Sequence, residues 1–283
     1  MLTAQSFFDY AIPEGGQTLS AKDAILYALS VGYGAQPLDA DHLRYIHEQD
    51  LIAAPTLANV AAHAGPWMRA LGLDWSRVVH AEQRLTLHRP LPLGQPLAAR
   101  SRMLAVVDRG PQRGVFATFE RTIHVVGEPQ PVATVIQTNG CLADGGCGSL
   151  GDPIEPLPRA PDRAPDAVVD IDIPVDAAAL YRLNGDLNPL HIDPAVAAKG
   201  GFALPLLHGL CAFGYAGYAV SRAAATSGLA DLRSIAARFS KPMFPGETLS
   251  VDIWKDGDEV RFRGRVPARD ATVLDCGVAR LRA

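Results

Sequence analysis

The chain repeats itself at an offset of 152 residues (242 − 90). Arg89-Pro-Leu-Pro-Leu-Gly-Gln-Pro-Leu97 aligns without a gap on Lys241-Pro-Met-Phe-Pro-Gly-Glu-Thr-Leu249, matching Pro90 with Pro242, Gly94 with Gly246 and Leu97 with Leu249. Upstream, Leu26-Tyr27-Ala28-Leu29 resembles Leu180-Tyr181-Arg182-Leu183, and Pro55-Thr-Leu57 resembles Pro205-Leu-Leu207. A period this long means two copies of one folding unit. Between them, Asp144 to Pro165 is dense in Gly and Pro and poor in large apolar residues, the composition of a linker. The expected units are therefore residues 1–143 and 166–283, joined by a linker over 144–165.

Within each unit a helix-forming stretch comes first. A second apolar helix follows, expected from Leu57 to Ala62 onward and from Ala212 to Ala225. Alternating segments then read as strands. They are Ala81 to His88, Ala98 to Val107, Gly114 to Val126 and Val132 to Cys141, then Ile235 to Ser240, Thr248 to Lys255, Glu259 to Val266 and Ala271 to Arg280. Lys255-Asp-Gly-Asp258 has the composition of a hairpin turn. The pattern predicts an α+β chain of two units, each a helix wrapped by an antiparallel sheet, paired as a pseudo-dimer that joins the sheets and buries the helices.

Composition excludes several functions. With 283 residues, 48% hydrophobic and 20% charged, the chain can bury a full core. A formal net charge of −4 offers no basic stripe, so no nucleic-acid partner is expected. Cys141, Cys147, Cys211 and Cys276 lack metal-ligand spacing, so reduced thiols and no metal site are expected. No run of about 18 uninterrupted apolar residues predicts a membrane span. The N-terminus lacks a basic, apolar leader and the C-terminal Arg-Leu-Arg-Ala is no peroxisomal tripeptide, which gives a cytoplasmic expectation.

The two units are not equivalent in chemistry. Tyr181 to Asp193 places Asp186, Asn188 and His191 within six positions, punctuated by Asn184-Gly185 and Asn188-Pro189. Gly and Asn tolerate positive φ and Pro removes a donor, so this stretch should interrupt the helical runs 176–183 and 194–198 and aim its side chains at one point. A carboxylate beside an imidazole suits acid/base work on one water. The competing reading is a turn whose Asp and Asn cap backbone groups and whose His packs in the core. His208-Gly209 stands where a buried helix begins, and unpaired N–H groups at such a terminus can stabilise a polarised carbonyl. On the competing reading Gly209 is steric and His208 packs under the helix. The first unit has only 30–37, Ser-Val-Gly-Tyr-Gly-Ala-Gln-Pro, at the matching place, with Ala58 near the counterpart of His208. Gly32, Gly34 and Ala35 read equally as room for a bulky ligand or as tight helix packing.

These motifs resemble the hydratase 2 family, the MaoC-like, R-specific enoyl-CoA hydratases with a double hot-dog fold. The diagnostic pieces are Ala179 to Pro194, Gly201 to Cys211 and Ala237 to Leu249. Val79-His-Ala-Glu-Gln83 and Val107-Asp-Arg-Gly110 match in the first half. Asn184 departs from the family's small residue and Ala81 from its usual Gly. The resemblance implies reversible hydration of trans-2-enoyl-CoA to (3R)-3-hydroxyacyl-CoA, with Asp186 and His191 holding and activating a water. Asn188 would orient them and the Gly209 N–H would bond the thioester oxygen. Either Asp186 or His191 could be the base. His80, Ala81, Arg109, Leu187, Pro189, Leu190, Phe239 and Lys241 would line the acyl-CoA path. No metal or other cofactor is implied, coenzyme A entering as part of the substrate, and a homodimer is the default assembly. The alternatives are a hot-dog thioesterase and a non-catalytic acyl-thioester binding module.

Overall fold

The computed structural model describes residues 2–36, 39–225 and 228–282; Pro37, the end of the segment matched to the Asp/His stretch, lies outside the described residues. In chain order the elements are α1 (Ala4–Asp9), β1 (Gly15–Thr18), α2 (Ala21–Ser30), α3 (Ala40–Ile46), β2 (Val78–Leu87), β3 (Pro96–Asp108), β4 (Val115–Val125), β5 (Pro131–Cys141) and β6 (Leu150–Gly151). There follow β7 (Ala167–Asp172), α4 (Ala177–Tyr181), α5 (Pro194–Lys199), α6 (Gly209–Ala224), β8 (Leu232–Phe239), β9 (Thr248–Asp256), β10 (Glu259–Val266) and β11 (Ala271–Leu281).

The strands form one sheet in the order β1-β3-β4-β5-β2-β8-β11-β10-β9-β7, with β6 on β3. The two copies are thus joined edge to edge where β2 pairs antiparallel with β8, Glu82 opposite Arg238 and Thr86 opposite Ser234. Pairing removes the exposed edge each unit would carry alone. The repeat is visible in the backbone: Gly94 and Gly246 both take positive φ, 72° and 87°. Each turns the chain ahead of a matched strand, β3 or β9, a conformation Gly adopts without steric cost. The Lys255–Asp258 hairpin forms as a two-residue turn with Gly257 at φ 62°. The short strands β1 and β7 lacked a signal strong enough to read.

The expected second helix of the first unit does not form. Pro55–Asn59 makes one 3-10 turn, Ala62 takes φ 48°, and Gly65 with Pro66 ends the run before a further short 3-10 piece at Trp67–Leu71. Punctuation by Gly and Pro outweighs the apolar pattern there. Only α6 fills the role of central helix, and Cys211 to Ser221 are all buried. It packs on both copies, because Gly214 and Gly217 bring the first unit close. A Cβ on Gly214 would lie 2.5 Å from Val31, and one on Gly217 would lie 3.1 Å from Thr56. The core is accordingly split. One cluster surrounds α6 and spans both copies, and a second gathers Phe7, Trp67, Met68, Met103 and Phe119 under α1.

Gly32 and Gly34 serve packing, not a cavity. Gly32, at φ 96°, would press a Cβ to 2.9 Å from Tyr215, and Gly34 one to 2.5 Å from Leu29. The linker is strapped down. Leu150 and Gly151 pair with β3, and the Asp108 carboxylate accepts from the N–H groups of Gly110, Gly146 and Gly148. Those bonds hold its carboxyl below the usual range. No helix among the described residues is long and apolar enough to cross a membrane.

Candidate active site

The stretch between α4 and α5 is built as a series of tight turns. Gly185, at φ 112°, ends the short 3-10 continuation of α4. The Asp186 carboxylate accepts from the Asn188 N–H at 3.1 Å, and Asn188 Oδ1 accepts from the Leu190 N–H at 3.2 Å. These side-chain turns fix the backbone that carries His191 in the 3-10 turn Pro189–His191. Asn188 therefore caps that turn and makes no side-chain bond to Asp186 or His191. Asn184 does more than shape its own turn: its Nδ2 donates to Ser30 Oγ at 3.0 Å and to the Tyr181 carbonyl at 2.9 Å, tying the loop to α2 of the first copy.

Two imidazoles lie behind Asp186. His191 Nδ1 donates to the Leu206 carbonyl at 3.0 Å, which leaves Nε2 as a free acceptor. His208 is buried at the N-cap of α6, and its Nε2 donates to the Asp186 carbonyl at 3.2 Å. The rings stack at 3.8 Å with 27° between planes. Burial lowers the His191 pKa, against the Leu206 bond and the Asp186 charge. Burial, and then the neighbouring His191, press His208 down to about 4. Both rings are neutral at neutral pH. Sequence reasoning left His208 as a packing residue; its position ahead of a buried helix carried no hint that its ring would support His191.

The carboxylate of Asp186 and ring nitrogens of His191 and His208 lie within 4.8 Å of one another, close enough to share a cation. The donor set itself would suit one. His208 Nδ1 is buried and has no hydrogen-bond partner.

Gly209 opens α6, so its N–H has no partner inside the helix. A Cβ there would come to 3.1 Å from the Phe239 ring, so Gly permits the close approach of helix and ring. Phe239 ends β8 and meets His80 of β2 at 4.5 Å across the seam between copies. Ala81 is the extra residue of a bulge after His80, which turns His80 and Gln83 to one face and lets them bond at 2.9 Å. Leu187 and Pro189 are exposed on the loop and Leu190 is half-buried, its carbonyl accepting from Leu206 at 3.3 Å. Lys241 is exposed beside Met243, whose carbonyl accepts from Leu207. Arg109 is apart from these. It donates to the Arg113 carbonyl and lies over Phe116 at 3.8 Å, within its own hairpin.

Comparison with known proteins gives the family. Residues 157–274 match the MaoC like domain, and residues 18–130 match the MFE-2 hydratase 2 N-terminal domain. The chain is 34% identical over 267 residues to enoyl-CoA hydratase ChsH3 of Mycobacterium tuberculosis, covering 92% of this chain and 91% of that one. The chain belongs to the MaoC-like hydratase 2 family. It is also 34% identical to peroxisomal multifunctional enzyme type 2 of Drosophila melanogaster, over 86% of this chain, but spans only 42% of that longer protein. Among solved structures, a MaoC-like dehydratase from Phytophthora capsici superposes with a TM-score of 0.85 at 25% identity, over 99% of each chain. The fold is the double hot-dog of these relatives. Several family members are named as peroxisomal, so family membership alone does not assign a compartment.

Proposed function

We propose that this chain hydrates trans-2-enoyl-CoA reversibly to the (3R)-3-hydroxyacyl-CoA. The observation that carries the reading is the convergence of Asp186 and His191 in one cluster at the N-terminal end of α6, in a chain of this family. The Gly209 N–H polarises the thioester carbonyl and makes C3 electrophilic. A water held by Asp186 and His191 attacks C3 as His191 Nε2 takes one of its protons. That proton is returned to C2 as the enolate collapses, so oxygen and hydrogen both come from the water. His191 is the base on this reading because the Leu206 bond already fixes its tautomer. Asp186 orients the water, and Asn188 acts through the turn it caps.

His80, Ala81, Phe239, Leu187, Pro189, Leu190 and Lys241 line the way in for acyl chain and coenzyme A. Arg109, held within the β3–β4 hairpin, is left out of that path. The reaction uses no metal or redox cofactor, and a cytoplasmic homodimer is part of the same reading. Val175, Leu183 and Leu204 are exposed apolar side chains that would offer surface to a second copy.

The test follows loss of enoyl-thioester absorbance beside thiol release and chiral product analysis. Loss without thiol, giving the R alcohol, is expected. Asp186→Asn should lower kcat by about 10²–10⁴-fold. Thiol release instead would indicate a thioesterase; full turnover by the Asn variant would sink the assignment of the site.

A further inference from the structure

The inner face of the first copy's half of the sheet carries a buried cation where an acyl chain would be expected to meet only hydrocarbon. On β4 the residues facing the core are Val115, Ala117, Phe119, Arg121, Ile123 and Val125, all buried. Arg121 interrupts this apolar row and is 4% exposed. Its Nη2 donates to the carbonyls of Ala58 and Asn59, in the short turn that replaces the missing helix. Its Nε is buried without a partner. Among the described residues no carboxylate lies within ion-pair distance of it, and burial alone pulls the guanidinium down to about 10.

A second donor is left over beside it. Asn59 is buried, its Oδ1 accepts from Gln83 at 2.8 Å, and its Nδ2 has no partner. Gln83 in turn bonds His80, His80 lies on Phe239, and Phe239 abuts Gly209. A run of contacts, polar from Arg121 through Asn59 and Gln83 to His80 and closed by the Phe239 ring, therefore connects Arg121 with the helix end proposed to hold the thioester. Gln137, opposite Gln83 in the sheet, is half-buried at an inward position, and it donates to the buried Asn139 at 2.9 Å. The whole strip runs along the inner face of a half whose apolar core is split into two clusters.

Stability does not account for it. An orphaned buried donor costs about 1–3 kcal/mol, and a buried charge lacking its counterion is among the most destabilising features a fold can hold. Both unsatisfied groups are donors, and one belongs to a cation. What completes them is an anionic acceptor with two oxygens. We propose that Arg121 and Asn59 form a subsite for a carboxylate on the acyl part of the enoyl thioester, making Arg121 a specificity-determining residue. This inference rests on the hydration reading above.

The experiment uses the full chain and pairs of trans-2-enoyl-CoA substrates of short, medium and long chain. Each pair differs only in ending in a methyl group or a carboxylate. At the length that spans the path, the carboxylate-ended substrate should have the higher kcat/KM, by about ten-fold or more. Arg121→Met should collapse that ratio through KM, and Arg121→Lys should restore part of it. Equal or better turnover of the methyl-ended member at every length overturns the subsite, as does an unchanged ratio in Arg121→Met. The wild-type ratio decides if the Met variant does not fold. Calorimetric binding of the matching saturated acyl-CoA pair separates the two claims. Tighter binding of the carboxylate member without turnover of any enoyl substrate keeps the subsite and removes the hydratase; equal binding removes the subsite.

Discussion

His191 has one ring nitrogen committed to the Leu206 carbonyl and the other free beside Asp186, so its charge state decides whether water can be deprotonated. Burial holds its pKa below the ordinary value of about 6.5, which keeps it neutral as pH falls through neutrality. The acid limb of kcat/KM should accordingly lie below pH 6.5, with a plateau through pH 7 to 8; a limb at or above pH 7 would exclude His191 as the base. At this scale the sequence was legible where local chemistry is strong. Asp186, Asn188 and His191 declare themselves through Gly185 and Pro189, which force turns. His208 did not, because its role comes from a stacking contact and a bond to Asp186 that only the folded chain creates. Arg121 carried a readable signal, a charge at an inward position of an alternating strand, and it stood unused within the segment 114–126.

At the scale of elements, the eight long strands were legible from alternation, while the lost helix of the first copy was not. The apolar run after Leu57 reads as helix until Gly65 and Pro66 are weighed against it. What remains for packing is one central helix shared by the two halves of the sheet, and its glycines set the distance. Gly214→Ala would drive a methyl group into Val31, whose β-branched side chain has little freedom to turn away. Overpacking of this kind costs about 1–3 kcal/mol, and the helix preference for Ala over Gly returns up to about 1. A net loss of stability is expected, read as a lower urea midpoint, and Val31→Ala in the same chain should recover most of it. An undisturbed midpoint in Gly214→Ala would mean that α2 and α6 are not held as closely as their contact implies.

Taken whole, the molecule is two copies of one unit that neither can complete alone. The first lacks a central helix and the second lacks a covered edge at β8; the β2–β8 seam and the cluster around α6 supply both. The junction of the copies also makes the site, since His80 and Phe239 meet across the seam and Asn184 bonds Ser30 of α2 on the helical side. Units that share one core should unfold together, so calorimetry should show a single transition whose van't Hoff and calorimetric enthalpies agree. The same core sets its acid sensitivity. His80 and His208 are both depressed to about 4, chiefly by burial, whereas in the unfolded chain each titrates near 6.5. Between those values the unfolded chain binds more protons than the native one, so stability must fall as pH drops from about 6.5 toward 4. The midpoint temperature should fall over that interval as one transition. Two separated transitions, one for each half, would show that the seam joins the sheets without joining their stability.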